Sequence, residues 1–324
     1  PDENGNYNGP ASDEEARAYA QEYADFYADS NYNVDWEDAF FRKHGSSQNY
    51  EFSAQGGDER NSFFASLAYK KEDGKSKTSS IDGFIGRVNA THKSADNKLQ
   101  MGANISLSKQ NSSVTSEGTA YANPFFLQSF ICTPNMPIYD ENGNYYLHPV
   151  LQQVFPHTHP VEDINLDKNQ SKVFRSFNSL WASYEIIDGL ILKETVSYDY
   201  VNNTSITYWP VNSNNGQLLN GLGATYPYQY HNVYSSTTLN YAKTFKEKHN
   251  LDALVGWDVD DRKKEAVRAA STGYPHDKLP ESVNASTPAE GMAYYTEDHL
   301  LSLLSRVNYD YDNKYYVSAN YRRD

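Results

Sequence analysis

An alternation of apolar and polar residues with a period of two runs through most of this 324-residue chain. In the segment 301–311, apolar and aromatic residues occupy nearly all odd positions, and polar residues occupy most even positions. Successive side chains of a β-strand point to opposite faces, so this segment is predicted to be a strand with one apolar face. Asp312 and Asn313 favour a two-residue turn with positive φ, after which the alternation resumes. We therefore predict a long β-hairpin over residues 300–324.

The same pattern predicts about ten strands, whose connections alternate between short turns and long loops. The short turns centre on 57–59, 94–96, 188–189, 246–248 and 312–313, and the long loops cover 72–79, 111–170, 202–226 and 262–297. In an antiparallel meander, all connections of one kind lie at one end. Outer-membrane β-barrels have short turns at one rim and long loops at the other. The predicted fold class is therefore all-β: an antiparallel up-and-down transmembrane β-barrel with long extracellular loops.

One short helix is predicted near the N-terminus, from residue 13 to about Tyr27. Ser12 precedes it as a candidate N-cap, and acidic residues occupy its first turn, where they interact favourably with the helix dipole. The region 1–47 is predicted to be an extracellular loop that carries this helix. Residues 48–324, where the period of two dominates, are predicted to form a partial β-barrel.

The composition limits the classes of function that the chain can have. Aromatic residues make up 14% of the chain, mostly as 28 tyrosines, which argues against disorder. A formal net charge of -14 predicts no nucleic acid partner, because phosphate neutralisation requires clustered Lys and Arg. Cys132 is the only cysteine, so the chain cannot form an internal disulfide. No apolar run is long enough to predict a transmembrane helix.

Sequence patterns for a catalytic triad, a phosphate-binding loop or a cysteine-based metal site are absent from the chain. We therefore predict no enzyme activity, no cofactor and no metal site, although two alternatives stay open. His157 and His159, with Glu162 or Asp163, would suit a metal ion, but an exposed loop is the favoured interpretation. The segment 140–144 is similar to part of a calcium-binding loop, but it lacks the distal glutamate and favours a plain turn.

Several short motifs resemble those of the SusC/RagA family of TonB-dependent outer-membrane transporters of Bacteroidetes. The segment 35–42 is similar to a D-W-x-(D/E)-x-x-F-R phrase that leads into an early barrel strand, and Gly56 and Gly57 resemble the short turn that follows. Further motifs resemble family hairpins and a loop phrase in the same order, at 87–89, 102–106, 137–143, 306–309 and 322–324. Together these motifs extend over nearly the whole chain.

The resemblance implies an outer-membrane active transporter for nutrient uptake that imports oligosaccharides or peptides. A SusD-like lipoprotein would deliver the ligand, and the TonB complex would supply energy through an N-terminal part that is missing here. Family members also contain a plug domain and further C-terminal strands. The chain is therefore expected to be an internal fragment, with about ten strands of a 22-strand-type barrel, surrounded by outer-membrane lipid.

Aromatic residues of the long loops are the predicted ligand-binding residues, because their rings can stack on sugar faces or on peptide side chains. They are Tyr121, Phe125, Phe126, Tyr139, Tyr145, Tyr146, Tyr226, Tyr228 and Tyr230. Packing among the loops is the alternative role for each of them. A second set is predicted to face the lumen or the plug and comprises Arg87, Arg306, Asn308 and Arg322.

Two other classes of protein stay open at this point. A soluble, β-rich glycan-binding surface module or adhesin would use the same tyrosine-rich loops. In such a module, outward strand faces such as that of 251–257 would be buried under a second sheet. A β-fold hydrolase would require paired carboxylates in a pocket. The number of packed sheets therefore separates a membrane barrel from a soluble module.

Overall fold

The computed structural model describes residues 12–28, 32–114, 132–146, 158–278 and 285–324. These residues contain helices α1 (Asp13–Ala28), α2 (Trp36–Phe40) and α3 (Pro160–Leu166), and a 3₁₀ helix at Gln217–Leu219. The strands are β1 (Ser46–Gly57), β2 (Asn61–Asp73), β3 (Ser80–Lys93), β4 (Leu99–Ser113), β5 (Lys168–Ile187), β6 (Leu190–Trp209), β7 (Leu222–Phe245), β8 (His249–Thr272), β9 (Thr287–Tyr311) and β10 (Tyr315–Arg323). Within these ranges, no helix has the length and apolarity needed to cross a membrane.

The ten strands form one antiparallel sheet in which each strand pairs with its neighbours in sequence. Strands β1 and β10 are the two edges, so the sheet is a partial barrel that is not closed. The predicted all-β antiparallel meander is confirmed. Helix α1 is also confirmed, and the Ser12 hydroxyl oxygen accepts a hydrogen bond from the Glu15 N–H at 3.2 Å. Helices α2 and α3 were not predicted, because 5 and 7 residues are too few to show a helical period.

Short turns and long connections alternate along the sheet, as predicted. Asp312 and Asn313 have φ values of 55° and 54°, which gives the β9–β10 turn the left-handed conformation that tight hairpins require. Two predicted loops are too long, since the connection after β6 covers only 210–221 and that after β8 only 273–286. Backbone pairing continues past the apolar part of these strands into polar segments, where the sequence shows no alternation of hydrophobicity.

The strand register brings the apolar sides of neighbouring strands together. Leu192 pairs with Leu239, which in turn pairs with Val255. We call this side of the sheet the apolar face and the opposite side the polar face. Val255 is 45% exposed and Trp257 is 49% exposed on the apolar face. The described residues contain no second sheet to cover it, contrary to the soluble-module alternative. Exposed large apolar side chains are typical of a barrel wall that contacts lipid.

The hydrophobic core lies in the connections rather than in the sheet. Its buried residues come from the segment before β1 and from the long connection between β4 and β5, and they are Trp36, Phe40, Cys132, Met136, Val161 and Ile164. We call the described residues of 32–45 and of the long connections after β2, β4, β6 and β8 the loop layer. This layer contains the packed interior that the single-layer sheet lacks.

The motif at 35–42 forms part of this loop layer. The Asp35 carboxylate caps α2 by accepting a hydrogen bond from the Asp38 N–H at 3.1 Å. The Arg42 guanidinium donates to the carbonyl oxygens of Gly74 and Ser76 at 2.8 and 2.7 Å. The motif therefore anchors the segment before β1 to the connection between β2 and β3.

Candidate ligand-binding site

Side-chain hydrogen bonds join the long connections of the loop layer to one another. The Asn214 amide donates to the Thr158 carbonyl oxygen at 2.9 Å, which links the β6–β7 connection to the β4–β5 connection. The Tyr208 hydroxyl and the Val211 N–H both donate to Asp277, at 2.9 and 2.8 Å, which links the β6–β7 and β8–β9 connections. Burial and this hydrogen bond raise the pKa of Tyr208. The loop layer is therefore one connected structure at one end of the strands.

A stack of four rings runs from the core of the loop layer to its surface. Trp36 and His159 are stacked with 5.5 Å between ring centroids, and His159 and Tyr145 with 5.2 Å. Tyr139 completes the stack, 5.2 Å from Tyr145. Trp36 and His159 are buried, whereas Tyr139 is 51% and Tyr145 37% exposed. Two of the predicted aromatic residues therefore form a flat, accessible ring surface supported from below.

His159 supports this stack as a neutral side chain. Its Nδ1 accepts a hydrogen bond from the Val161 N–H at 3.2 Å and so caps α3. Burial lowers the pKa of His159 to about 4. The Asp163 carboxylate accepts a hydrogen bond from the Asn214 N–H at 2.8 Å. His159 Nδ1 and the Asp163 carboxylate therefore have structural partners, whereas His159 Nε2 is buried with no hydrogen-bond partner among the described residues. His157, the other proposed metal ligand, lies outside the described residues.

The segment 140–144 is a plain turn, as favoured by its sequence. The Asp140 carboxylate accepts hydrogen bonds from the Asn142 and Asn144 N–H groups at 2.9 and 2.8 Å. These bonds, chiefly that from Asn144, lower the pKa of Asp140. The turn brings Tyr145 back beside Tyr139, and the Tyr146 N–H donates to the Ile138 carbonyl oxygen at 3.0 Å. Tyr121, Phe125 and Phe126 lie outside the described residues.

Tyr226, Tyr228 and Tyr230 lie within β7, so their placement in a loop was wrong. Pairing with β6 and β8 extends this strand through a polar segment that sequence reasoning assigned to a loop. The three residues share one parity, opposite to that of Leu239, and therefore lie on the polar face. The ring centroids of Tyr226 and Tyr228 are 6.1 Å apart, and the Lys264 Nζ lies 5.0 Å from the centroid of Tyr228.

A pocket of about 490 Å³ lies beside these tyrosines on the polar face. Its lining combines hydroxyl groups, aromatic rings and two cations, and comprises Ser205, Thr207, Ala224, Thr225, Tyr226, Lys264, Arg268, Tyr294 and Thr296. The Arg268 Nε lies 3.0 Å from a Glu290 carboxylate oxygen. This pocket depends on the register of four strands, and the sequence alone does not show it.

The four residues predicted to face the lumen or the plug all have polar-face parity. Arg306 pairs across the sheet with Leu254, and its Nη2 lies 3.2 Å from the Asp252 carboxylate. The Arg322 Nε lies 2.8 Å from Asp324, and its Nη2 donates to the Ser302 hydroxyl at 3.1 Å. The register gives the same side of the sheet to Asn308, opposite Ser318, and to Arg87, opposite Ser106.

An ionic cluster on the other side of the sheet was not predicted. Asp261, Glu297 and His299 have ligand atoms within 4.8 Å of one another, just beyond the apolar residues Val259 and Leu301. The Lys263 Nζ lies 2.8 Å from the Glu297 carboxylate and neutralises part of its charge. Only the strand register shows this cluster, because its members come from two separate strands.

The single meander, its two unlike faces and its layer of long connections define the class as a wall segment of an outer-membrane-type β-barrel. No family model matches the chain. The chain is 23% identical to the TonB-dependent receptor P3 of Formosa agariphila over 319 residues, which are 96% of this chain and 31% of that protein. It is 26% identical to the TonB-dependent receptor P26 of the same organism over 90% of this chain and 29% of that protein.

The structure of the RagAB peptide importer in its closed-closed state has the same fold as this chain. The TM-score is 0.75 with 24% identity, over 91% of this chain and 33% of that chain. A structure of the RagAB peptide transporter gives a TM-score of 0.73 with 22% identity, over 95% of this chain and 37% of that chain. The chain is thus related to TonB-dependent receptors, as its motifs indicated, and spans about a third of the length of these proteins.

Proposed function

We propose that the chain forms part of the barrel wall and outer loops of an outer-membrane transporter that imports nutrient oligomers. The observation that carries this proposal is the division of one sheet into two faces. Val255 and Trp257 are exposed on a face that suits lipid, while the opposite face carries arginines, lysines and tyrosines. Lipid leaves no water to satisfy an open backbone, so the complete receptor requires a closed wall around its aqueous path, and this sheet would form part of that wall.

Peptides are the substrate class that the comparisons favour. Both fold relatives described above are named as a peptide importer or transporter, and they match more than nine-tenths of this chain. Oligosaccharides are the second candidate, favoured by the exposed rings of Tyr139 and Tyr145. Rings of this kind stack on sugar faces as readily as on peptide side chains.

The proposed mechanism divides the work between the two regions of the molecule. The loop layer captures the ligand with a SusD-like lipoprotein as lid, and the polar face of the wall borders the path inward. Energy comes from the TonB complex, which acts on a plug domain in parts of the receptor beyond this chain. The wall itself supplies a rigid frame and needs no catalytic group.

Uptake by whole cells tests this proposal. A strain lacking the full-length receptor is complemented with the wild-type gene and given isotope-labelled peptides or oligosaccharides. We expect restored uptake of peptides that disappears when the proton gradient is collapsed. Restored uptake of oligosaccharides alone would support the second candidate. Uptake of neither class above that of the deletion strain would contradict the proposed transport function.

A further inference from the structure

Most Arg and Lys side chains on the polar face of β5 to β10 are paired with carboxylates; the exceptions are Lys264 and Lys193, whose ammonium lies 5.3 Å from the centroid of Trp181, outside the pocket. Arg175 and Asp199 form a bidentate pair, with 2.7 Å between the closest atoms, and Arg268, Arg306 and Arg322 have the carboxylate partners described above. Lys264 differs from these arginines. Among the described residues, no carboxylate lies within ion-pair distance of its ammonium group, which lies over the Tyr228 ring instead. This ammonium group therefore adds an uncompensated positive charge to the pocket beside Tyr226.

The strand register explains how the pocket keeps this charge accessible. Lys264 pairs with Tyr230 on one side and with Thr296 on the other. Its neighbour on the same face is Ala266, which is buried between its own partners Tyr228 and Tyr294. Lys264 lines the pocket together with the Tyr226 and Tyr294 side chains. Aromatic contact restrains the lysine stem without neutralising the charge.

We propose that this pocket binds a carboxylate of the transported ligand, specifically the C-terminal carboxylate of a peptide. The proposal rests on the peptide transport function proposed above. Lys264 supplies the charge, and the hydroxyl groups of Thr207, Tyr226 and Thr296 surround the same space as hydrogen-bond donors. Arg268 is already paired with Glu290 and completes the wall. Every peptide carries such a carboxylate, so the site recognises peptides without selecting their sequence.

The test uses the full-length receptor and two pools of random decapeptides. The pools contain no Asp or Glu and differ only in ending with a free carboxylate or with an amide. Equal amounts, separated by an isotope label, compete for immobilised receptor, and mass spectrometry gives the ratio captured. A charge-assisted hydrogen bond contributes about 1.5–3 kcal/mol, so we expect roughly tenfold or greater preference for the free carboxylate.

Variants assign the preference to the pocket. Lys264→Gln should bring the ratio to nearly one, whereas Lys264→Arg, which retains the charge, should preserve most of the preference. Lys263→Gln is the matched control, because Lys263 is the adjacent residue on the opposite face and is paired with Glu297. Its preference should equal that of the wild type. A structural role of Lys264 would lower capture of both pools without changing their ratio.

The possible outcomes separate this inference from the proposed function. Equal capture of both pools by the wild-type receptor would overturn the carboxylate site and leave peptide transport standing. Capture of neither pool would overturn the carboxylate site together with the peptide substrate class, and would leave oligosaccharides as the proposed class. In a parallel assay, tetragalacturonate and its methyl ester replace the peptides. Preferential capture of the acid together with no capture of peptides would assign the pocket to acidic glycans and overturn the peptide assignment.

Discussion

Phe40 and Phe52 carry the same side chain but have opposite environments. Phe40 is 0% exposed in the core of the loop layer, whereas Phe52 is 76% exposed on the apolar face of β1. The loop layer must exclude water from its own apolar residues, because it lies beyond the apolar part of the wall. The wall leaves its apolar residues uncovered, which is stable only where the surrounding solvent is lipid. The chain therefore buries its apolar side chains in the loop layer and exposes them on the wall. The boundary between the two regions lies where the apolar rows of the strands end.

Phe40→Ala is expected to have the largest effect on this comparison. Removing a fully buried aromatic side chain leaves a cavity and destabilises the loop layer by about 3–5 kcal/mol. Hydrogen exchange of the α2 amides in the full-length receptor measures this loss as faster local opening. Phe52→Ala is the matched control and should leave α2 exchange unchanged. Equal effects of the two substitutions would show that the loop layer has no core of its own.

Val255→Arg tests whether the apolar face of the wall contacts lipid. Val255 lies in the middle of the apolar row 251–259, where an arginine in lipid costs about 2–4 kcal/mol. The free energy of unfolding in lipid vesicles should fall by that amount for the full-length receptor. Leu254→Arg is the control on the polar face, next to an Arg306 that is already paired with Asp252. A larger loss for Leu254→Arg than for Val255→Arg would reverse our assignment of the two faces.

Acid should weaken the loop layer more than the wall, through His159. Its pKa is lowered to about 4 in the folded state, against an ordinary value near 6.5. The unfolded state then binds the proton more tightly, so stability is complete above about pH 6.5 and declines as the pH falls toward 4. The resulting loss in the free energy of unfolding approaches about 3 kcal/mol. Hydrogen exchange of α3 at several pH values measures it, and His159→Gln should remove the pH dependence. Persistence of the full decline in that variant would assign it to other groups.

The Asp35 cap should give the smallest effect. Asp35→Ala removes the carboxylate that accepts the Asp38 N–H and should destabilise α2 by about 1 kcal/mol. Asp35→Asn keeps a hydrogen-bond acceptor and should lose much less. Exchange of the α2 amides distinguishes the two variants. Equal losses for both would mean that charge rather than hydrogen bonding makes the contribution.

The difference between the wall and the loop layer also explains which features the sequence could predict. The wall follows a local rule, alternation along one strand, so the residues 251–259 predict their own strand and its apolar face. The loop layer depends on contacts between distant segments, such as the hydrogen bond from the Trp36 indole to the Thr133 carbonyl oxygen. No local pattern encodes such a contact. Tyr226 was placed in a loop because its strand continues on backbone pairing alone, beyond the apolar alternation.

The candidate site was predictable only in part for the same reason. Tyr139 and Tyr145 stand out as loop aromatics, but their stacking on His159 requires the folded loop layer. Lys264 has no distinguishing feature in the sequence. Its unpaired charge becomes visible only when the register shows which carboxylates its neighbours already contact.

The central claim, that one face of the wall contacts lipid and the other faces water, is open to one direct measurement. Single cysteines at positions 254–259 of the full-length receptor are spin-labelled in membranes. The Cys132 thiol gives little background, because it is 6% exposed and burial raises its pKa to about 12. Collisions with oxygen, which partitions into lipid, and with a water-soluble nickel chelate are then compared. We predict that oxygen contact dominates at 255, 257 and 259 and chelate contact at the even positions. Loss of this period of two, or its reversal, would contradict the account.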